Sequence, residues 1–223
     1  MASSGYIEQE RRDYALYTLQ SRAIPALADG LKSAARRVLW IARDGKKYKT
    51  TTLAGATMPI HPHGPPEGTI NTLAAPYGNN IPLLDGDGTF GTLLNPTACG
   101  AGRYTSVKVS KFTEDVIFRD IEIIPMMDNY DGSLQEPIHF LPLIPVVLLN
   151  PQEGIAVGFA CNILSHAFED IVASQIQYLR GKKVEDIAPF FTPFRARALK
   201  GEPDKNSSTK WLFHGQYSIK DTS

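Results

Sequence analysis

Apolar positions recur at helical spacing through the first third of the chain and give way to short apolar runs after about residue 112. From Tyr6 to Ala23, the residues Tyr14, Tyr17, Leu19 and Ile24 return roughly once per turn, and Pro25 ends the pattern. Asp29-Gly30 marks a turn, and a second helix is predicted from Leu31 to about Arg43. On it Leu31, Ala34, Val38 and Ile41 form an apolar stripe, while Lys32, Arg36 and Arg43 share another sector. Gly45 stands where a left-handed C-cap would close that helix. Further short helices are predicted over Thr50 to Ala56 and Glu67 to Ala74. The join between them carries Pro59, Pro62, Pro65 and Pro66 and cannot be helical. Two short helices about a Gly/Pro join resemble a helix-turn-helix, whose second helix would enter a major groove.

From Ile81 to Gly91 the chain is turn-rich, with Asp85-Gly86-Asp87-Gly88 at its centre. That tetrad lacks the later bidentate Glu of a calcium loop and reads as a turn. A strand is predicted where Tyr104, Ser106, Lys108 and Ser110 alternate with Val107 and Val109. Beyond Phe112, the stretches Ile121 to Met127, Ile138 to Leu149 and Ile155 to Cys161 read as buried strands or turns. His166 to Leu179 reads as an amphipathic helix, and Phe194 to Leu199 and Trp211 to Tyr217 as strands. A domain boundary is expected near residues 112–120. The chain stops at Thr222-Ser223, straight after a strand candidate. The expectation is therefore a piece of something larger, or a second domain completed by another chain.

Composition changes this picture little. With 223 residues, 43% hydrophobic, there is material for one or two cores, and 23 basic residues balance 23 acidic ones. Any nucleic-acid reading rests on local clustering. Arg36, Arg37, Arg43, Lys46, Lys47 and Lys49 stand against the single acid Asp44. Cys99 and Cys161, far apart and without metal-ligand spacing, suit a reducing compartment. The charged start excludes a signal peptide there, and the longest apolar run, Phe140 to Leu149, is short and holds two prolines. A soluble cytoplasmic protein, in a bacterium or an infected host cell, is expected.

Four constellations carry chemistry. A tyrosine hydroxyl, with a reference pKa of about 10, is a poor nucleophile unless cations favour its anion. Arg103 beside Tyr104 supplies a charge that does not depend on pH; a surface arginine next to a strand tyrosine is the plainer alternative. Arg36 and Arg37 point to different faces of one helix, so that one can reach a phosphate while the other supports it; a solvated face is the alternative. His61-Pro62-His63-Gly64 holds two histidines on a turn, able to move protons, bind phosphate or satisfy backbone groups. With only Glu67 nearby as a further ligand, no metal site is assigned. Gly154-Ile155-Ala156-Val157-Gly158 is either a close-packed turn or a wedge whose Ile155 kinks a duplex.

The order of these motifs is more specific than any one of them. Ala23-Ile24-Pro25, Asp29-Gly30-Leu31-Lys32 and Arg36-Arg37-Val38-Leu39 precede His61-Pro62-His63-Gly64. Leu84 to Gly91 follows, then Ala101-Gly102-Arg103-Tyr104-Thr105, Asp128 to Gly132, and Gly154 to Gly158 with Asn162-Ile163. Over about residues 13–218 the chain resembles the breakage-reunion subunit of type IIA DNA topoisomerases, the group of the gyrase A protein, the phage medium subunit, and the cleavage subunit of topoisomerase IV.

The resemblance implies an α+β protein: a winged-helix (helix-turn-helix, CAP-like) DNA-cleavage domain and an incomplete α/β tower domain. Residues 1–12 would form an N-terminal arm, 13–115 the winged-helix domain and 116–223 the partial tower. It implies that Tyr104 forms a 5′-phosphotyrosyl bond with DNA, aided by Arg103, Arg36 and His63. Lys32, Arg37, Lys46, Lys47, Lys49 and His61 would bind DNA, and Ile155 would intercalate. Mg²⁺ and ATP would sit on a partner Toprim/ATPase chain, since no acidic Toprim cluster occurs here. A second copy of the cleavage subunit would cut the other strand, and a separate chain could complete the tower and C-gate. The alternative is a DNA-bending winged-helix module, or a scaffold subunit, that does not cleave. Three departures stand out. Pro65-Pro66-Glu67 opens a helix two residues shorter than usual, without the Ser and acidic pair that anchors quinolones. Ser33 replaces a common proline, and Ala28 a common arginine. The coiled coil and C-gate have no counterpart in the chain.

Overall fold

The computed structural model describes residues 2–62, 64–184, 186–192, 197–200 and 211–214. Helix α1 (Ala2–Thr18) continues into a π-helical turn (Leu19–Ala23), and Ile24 leaves helical geometry one residue before Pro25. This is the restriction that a proline imposes on its predecessor. Helix α2 (Ser33–Ala42) follows, closed by Gly45 at φ +72°, whose N–H donates to Ala42 O at 3.1 Å. The αL cap expected from the sequence is therefore present. The buried stripe on α2 is Leu31, Ala35, Val38, Leu39 and Ala42, rotated from the expected Leu31, Ala34, Val38 and Ile41. Arg36, expected on the outward basic sector, is drawn inside by that rotation.

Helices α3 (Thr50–Thr57) and α4 (Glu67–Ala74) pack on α2 and on each other, with Leu53, Ala54, Ile70 and Leu73 buried between them. The last carbonyls of α4 are capped by a side chain. Asn79 Nδ2 donates to Thr72 O at 2.7 Å and to Ala75 O at 2.9 Å. A three-stranded antiparallel sheet in the order β1-β3-β2 completes this half, from β1 (Tyr48–Lys49), β2 (Leu84–Asp87) and β3 (Ser106–Val109). Tyr48 pairs with Val107, and Leu84 with Val109. Leu84, Val107 and Val109 are buried against the helices, each contributing roughly 1.5–3 kcal/mol of transfer free energy. β2 falls where the sequence reads as turn. Its Asp-Gly-Asp composition disfavours a strand, but backbone pairing along β3 supplies what propensity lacks.

After a π-helical turn (Thr113–Ile117) the chain changes architecture without leaving the core. Phe118 and Phe140 pack with ring centroids 5.3 Å apart, and the buried cluster runs unbroken from Leu31 to Ile171. Hairpins β4–β5 (Met126–Asp128, Gln135–Pro137) and β6–β7 (Gln152–Ala156, Phe159–Ile163) precede helix α5 (Phe168–Leu179). A last pair, β8 (Arg197–Lys200) and β9 (Trp211–His214), is antiparallel. The rest of the two strands expected there lies outside the described residues. Residues 138–149, expected as strand or turn, form irregular backbone and one 3₁₀ turn (Val146–Leu148), because Pro142 and Pro145 remove ladder donors.

Candidate active site

Tyr104 stands in the long connection between β2 and β3, on a turn fixed by backbone bonds. The Tyr104 N–H donates to Ala101 O at 2.8 Å. The first turn of α3 carries N–H groups that no helical carbonyl can accept. Two of these find the Tyr104 turn: Thr50 N–H donates to Thr105 O at 3.1 Å and Thr51 N–H to Gly102 O at 3.3 Å. Thr50 and Thr105 also join through their buried hydroxyls at 2.7 Å, and Lys49 Nζ donates to Tyr104 O at 3.2 Å. The backbone is thus held on both sides while the Tyr104 side chain is 71% exposed. The exposed Arg103 lays its guanidinium over the phenol ring, 4.8 Å from Cζ to centroid.

The cations expected to bind DNA divide into two groups. Arg36 is 8% exposed. Its Nε donates to Asp29 Oδ2 at 2.7 Å, and its Nη2 to Asp29 Oδ1 and Leu31 O, each at 3.0 Å. The fully buried Asp29 also accepts from Leu31 N–H and Phe140 N–H. The expectation that Arg36 reaches a phosphate does not fit this placement, because its guanidinium is committed to a buried carboxylate. Arg37 is likewise paired with Glu136 by two hydrogen bonds, and Glu136 is 6% exposed. Lys46 and Lys47, by contrast, make exposed pairs with Asp44 at 2.9 Å and Asp87 at 2.5 Å. Asp44 is held down to about 2 by hydrogen bonds from Lys46 and then Tyr48, and Asp87 is lowered by its hydrogen bond from Lys47. The local excess of positive charge read from residues 36–49 is therefore answered in part, by Asp44 within the stretch and by Asp29, Asp87 and Glu136 from outside it.

His61 accepts from or donates to Tyr17 Oη at 3.2 Å and meets the Tyr130 ring edge-on at 6.2 Å. With Arg37, Thr57 and Thr69 it lines a cavity of about 200 Å³ at the start of α4. His63 lies outside the described residues. Among the described residues no three His, Cys, Asp or Glu side chains come together in a way that could hold a metal ion.

Ile155 is in β6; a close-packed turn would bury it and a wedge would expose it, and it is 77% exposed. Cross-strand pairs Ile155↔Ala160 and Gly154↔Cys161 put Ile155 on the face opposite Gly154. The Gly154 face lies on the π-helical turn so closely that a Cβ there would stand 1.9 Å from Ala23 O. Only glycine allows this contact, and it leaves Ile155 turned away. Lys32, expected on DNA, donates to Glu153 O at 2.5 Å and braces the same hairpin. Val157 and Phe159, both exposed at the hairpin tip, carry no signal in the sequence that marks them for DNA. Nor do Asp29 and Glu136, since a carboxylate's burial depends on contacts 111 and 99 residues away.

The family model for the A protein of DNA gyrase/topoisomerase IV matches residues 22–222. The DNA topoisomerase medium subunit of Enterobacteria phage T4 is 34% identical over 225 residues, covering 97% of this chain and 47% of that protein. The DNA gyrase A protein of Streptomyces coelicolor is 38% identical over 178 residues, covering 75% of this chain and 20% of that protein. The chain spans less than half the length of these curated relatives. Among solved structures, the Plasmodium falciparum topoisomerase II DNA-binding, cleavage and re-ligation domain superposes with a TM-score of 0.80 at 25% identity, over 91% of this chain and 28% of that one. No helix among the described residues is long and apolar enough to cross a membrane. Family match, relatives and fold agree, and the chain belongs to the family of DNA gyrase/topoisomerase IV A proteins.

Proposed function

We propose that this chain is the DNA breakage-reunion subunit of an ATP-dependent type IIA topoisomerase, with Tyr104 as its nucleophile. The observation that carries the proposal is an exposed phenol on a backbone turn pinned to the N-terminus of α3. The Tyr104 oxygen attacks a backbone phosphorus, and the bond from phosphorus to the 3′ oxygen breaks. The phenolic proton leaves, the 3′ oxygen gains one, and the 5′ end remains joined to tyrosine. One phosphodiester is exchanged for another, so the reverse attack reseals the strand.

Arg103 moves from the ring face to the phosphate oxygens, where its fixed charge meets the developing charge of the pentavalent phosphate. Lys46, Lys47 and Lys49 hold flanking phosphates, the first two by exchanging exposed carboxylates for them. His63 is assigned the phenolic proton, and His61 and Arg37 the DNA backbone beside it. Arg36 acts from beneath, fixing the turn before α2 rather than touching DNA. Ile155 enters the stacked bases and bends the duplex.

Double-strand cleavage then requires two copies of the chain, each with one Tyr104. Mg²⁺ and ATP belong to a Toprim- and ATPase-bearing partner, where the metal supplies positive charge to the transferring phosphoryl group. Such an assembly acts in the cytoplasm of a bacterium or infected cell.

The test is a denaturant-quenched reaction with labelled duplex, Mg²⁺ and the cognate Toprim chain, comparing wild type with Tyr104→Phe. Protein attached to DNA 5′ ends in wild type alone is expected. If neither forms an adduct while both bind and bend DNA, the chain is a bending module and the catalytic assignments fall.

A further inference from the structure

The hairpin that presents Ile155 has both of its roots tied to one side chain of the winged-helix half. The segment carrying β6 and β7 leaves the core at Leu149 and returns at His166. Asn80 Nδ2 donates to Leu149 O at 3.1 Å and to His166 O at 3.0 Å. It also reaches Phe190 O at 2.9 Å, while Asn80 Oδ1 accepts from Thr192 N–H at 2.9 Å and Thr192 Oγ1 at 3.2 Å. The neighbouring residue repeats the tie. Ile81 N–H donates to Asn150 Oδ1 at 3.1 Å, and Asn150 Nδ2 donates back to Ile81 O at 2.8 Å. Between the roots, His166 N–H donates to Leu148 O at 2.9 Å.

The chemistry of the position selects an amide. Three carbonyls converge on the Nδ2 side and one N–H and one hydroxyl on the Oδ1 side, so the side chain must donate and accept at once. A carboxylate would set charge against the carbonyls, and an apolar residue would take the Asn80 donor from Leu149 O and His166 O and leave Phe190 O with Ser165 Oγ alone. Asn80 lies between α4, which ends at Ala74, and β2, two residues before Pro82, in the connection from the helix-turn-helix to the sheet. A shift of that connection is transmitted to both ends of the hairpin together.

We infer that Asn80, seconded by Asn150, is a positioning residue that sets the angle at which the Ile155 hairpin meets duplex DNA, and so the bend on which cleavage depends. The inference rests on the Tyr104 cleavage reading. Duplex DNA resists bending over a length this short, and a wedge unstacks a base step only when aimed at it. Phosphate contacts from the lysines near Tyr104 do not pass through the hairpin roots. Loosening the roots therefore reduces bending and cleavage, and leaves affinity and its salt dependence in place.

The chain is assembled with its Toprim-bearing partner as wild type, Asn80→Ala and Asn150→Ala. Bend angle is read by end-to-end energy transfer, and 5′ adduct yield is read on a linear duplex and on a minicircle of the same sequence, already curved. On linear DNA Asn80→Ala is expected to bend less and to lose roughly tenfold to a hundredfold in adduct, the upper figure being the scale at which misplaced groups cost rate. On the minicircle its yield returns to within about twofold of wild type, because the bend is already supplied. An unchanged bend angle, or an equal loss on both substrates, overturns the inference. If melting shows that Asn80→Ala does not fold, Asn150→Ala decides by the same two readouts. Absence of an adduct in the wild type strikes the cleavage reading instead, and the bend angle still judges Asn80.

Discussion

The arginines of α2 and the lysines around β1 come from one short stretch of sequence and meet opposite environments. Arg36 and Arg37 are held by Asp29 and Glu136, both buried. Lys46 and Lys47 hold Asp44 and Asp87 in the open. A charge counted in the sequence is thus not a charge available to a ligand. Breaking a buried pair leaves an uncompensated ion in low dielectric, at a cost of about 3–5 kcal/mol. An exposed pair contributes roughly 0–1 kcal/mol and can be exchanged for a phosphate at little cost. Arg36 fixes the scaffold, Arg37 reaches DNA only from a position that Glu136 sets, and Lys46 and Lys47 hold carboxylates that a phosphate can replace.

The largest effect that could break this division is at Asp29. Asp29→Ala removes the acceptor of four hydrogen bonds, two from Arg36 and one each from Leu31 and Phe140 N–H. Destabilisation of about 3–5 kcal/mol is expected in urea unfolding. Arg36→Ala should fall in the same range, and its DNA affinity should keep the wild-type slope against salt. A slope smaller by about one unit would mean that Arg36 does contact a phosphate. At Arg37→Ala the loss should be about 1–3 kcal/mol, since Glu136 then stays buried without its donors.

How much of this was legible beforehand follows the range of the interactions. The helices, the αL cap at Gly45 and the strand through Val107 and Val109 are set by neighbours within a turn or two, and their existence reads directly, although the strand is Ser106–Val109 and leaves Tyr104 on a turn. The motif order also singled out Tyr104, and the structure adds that its side chain is exposed on a turn held from α3. The paired state of Arg37 and Lys47 was not legible, since Glu136 and Asp87 reach them from 99 and 40 residues away, and the burial of the Arg36–Asp29 pair depends on Phe140, 111 residues from Asp29. β2 was missed for the same reason: Leu84 to Asp87 is a strand only because β3 lies beside it. Asn80 offers no local signal at all, as its partners are 69 to 112 residues away.

On the exposed side, the comparison predicts separable effects. Lys47→Ala should change stability by under about 1 kcal/mol, yet lower the salt slope of DNA binding by about one unit. Fluorescence anisotropy over a salt series measures that slope. An unchanged slope in Lys47→Ala, and again in Lys46→Ala, would place the DNA path elsewhere and remove the basis for the two groups.

The smallest effect is the sharpest probe of whether the exposed pairs exist in solution. Asp44 is lowered from 3.8 to about 2 by its hydrogen bonds from Lys46 first and Tyr48 second. A carboxylate depressed on folding contributes stability that is complete above its unfolded value and lost as pH falls through the folded one. For Asp44 that window runs from 3.8 down to about 2, and its effect on unfolding is slight because the groups are exposed. The informative reading is the carboxyl resonance of Asp44 titrated by NMR. In Lys46→Ala the midpoint should rise towards the ordinary carboxylate range, and in Tyr48→Phe it should rise less. Bound DNA should raise it as well, because a Lys46 drawn to a phosphate no longer donates to Asp44. A midpoint indifferent to DNA would show that Lys46 keeps its carboxylate in the complex, and would move this lysine to the side of Arg36.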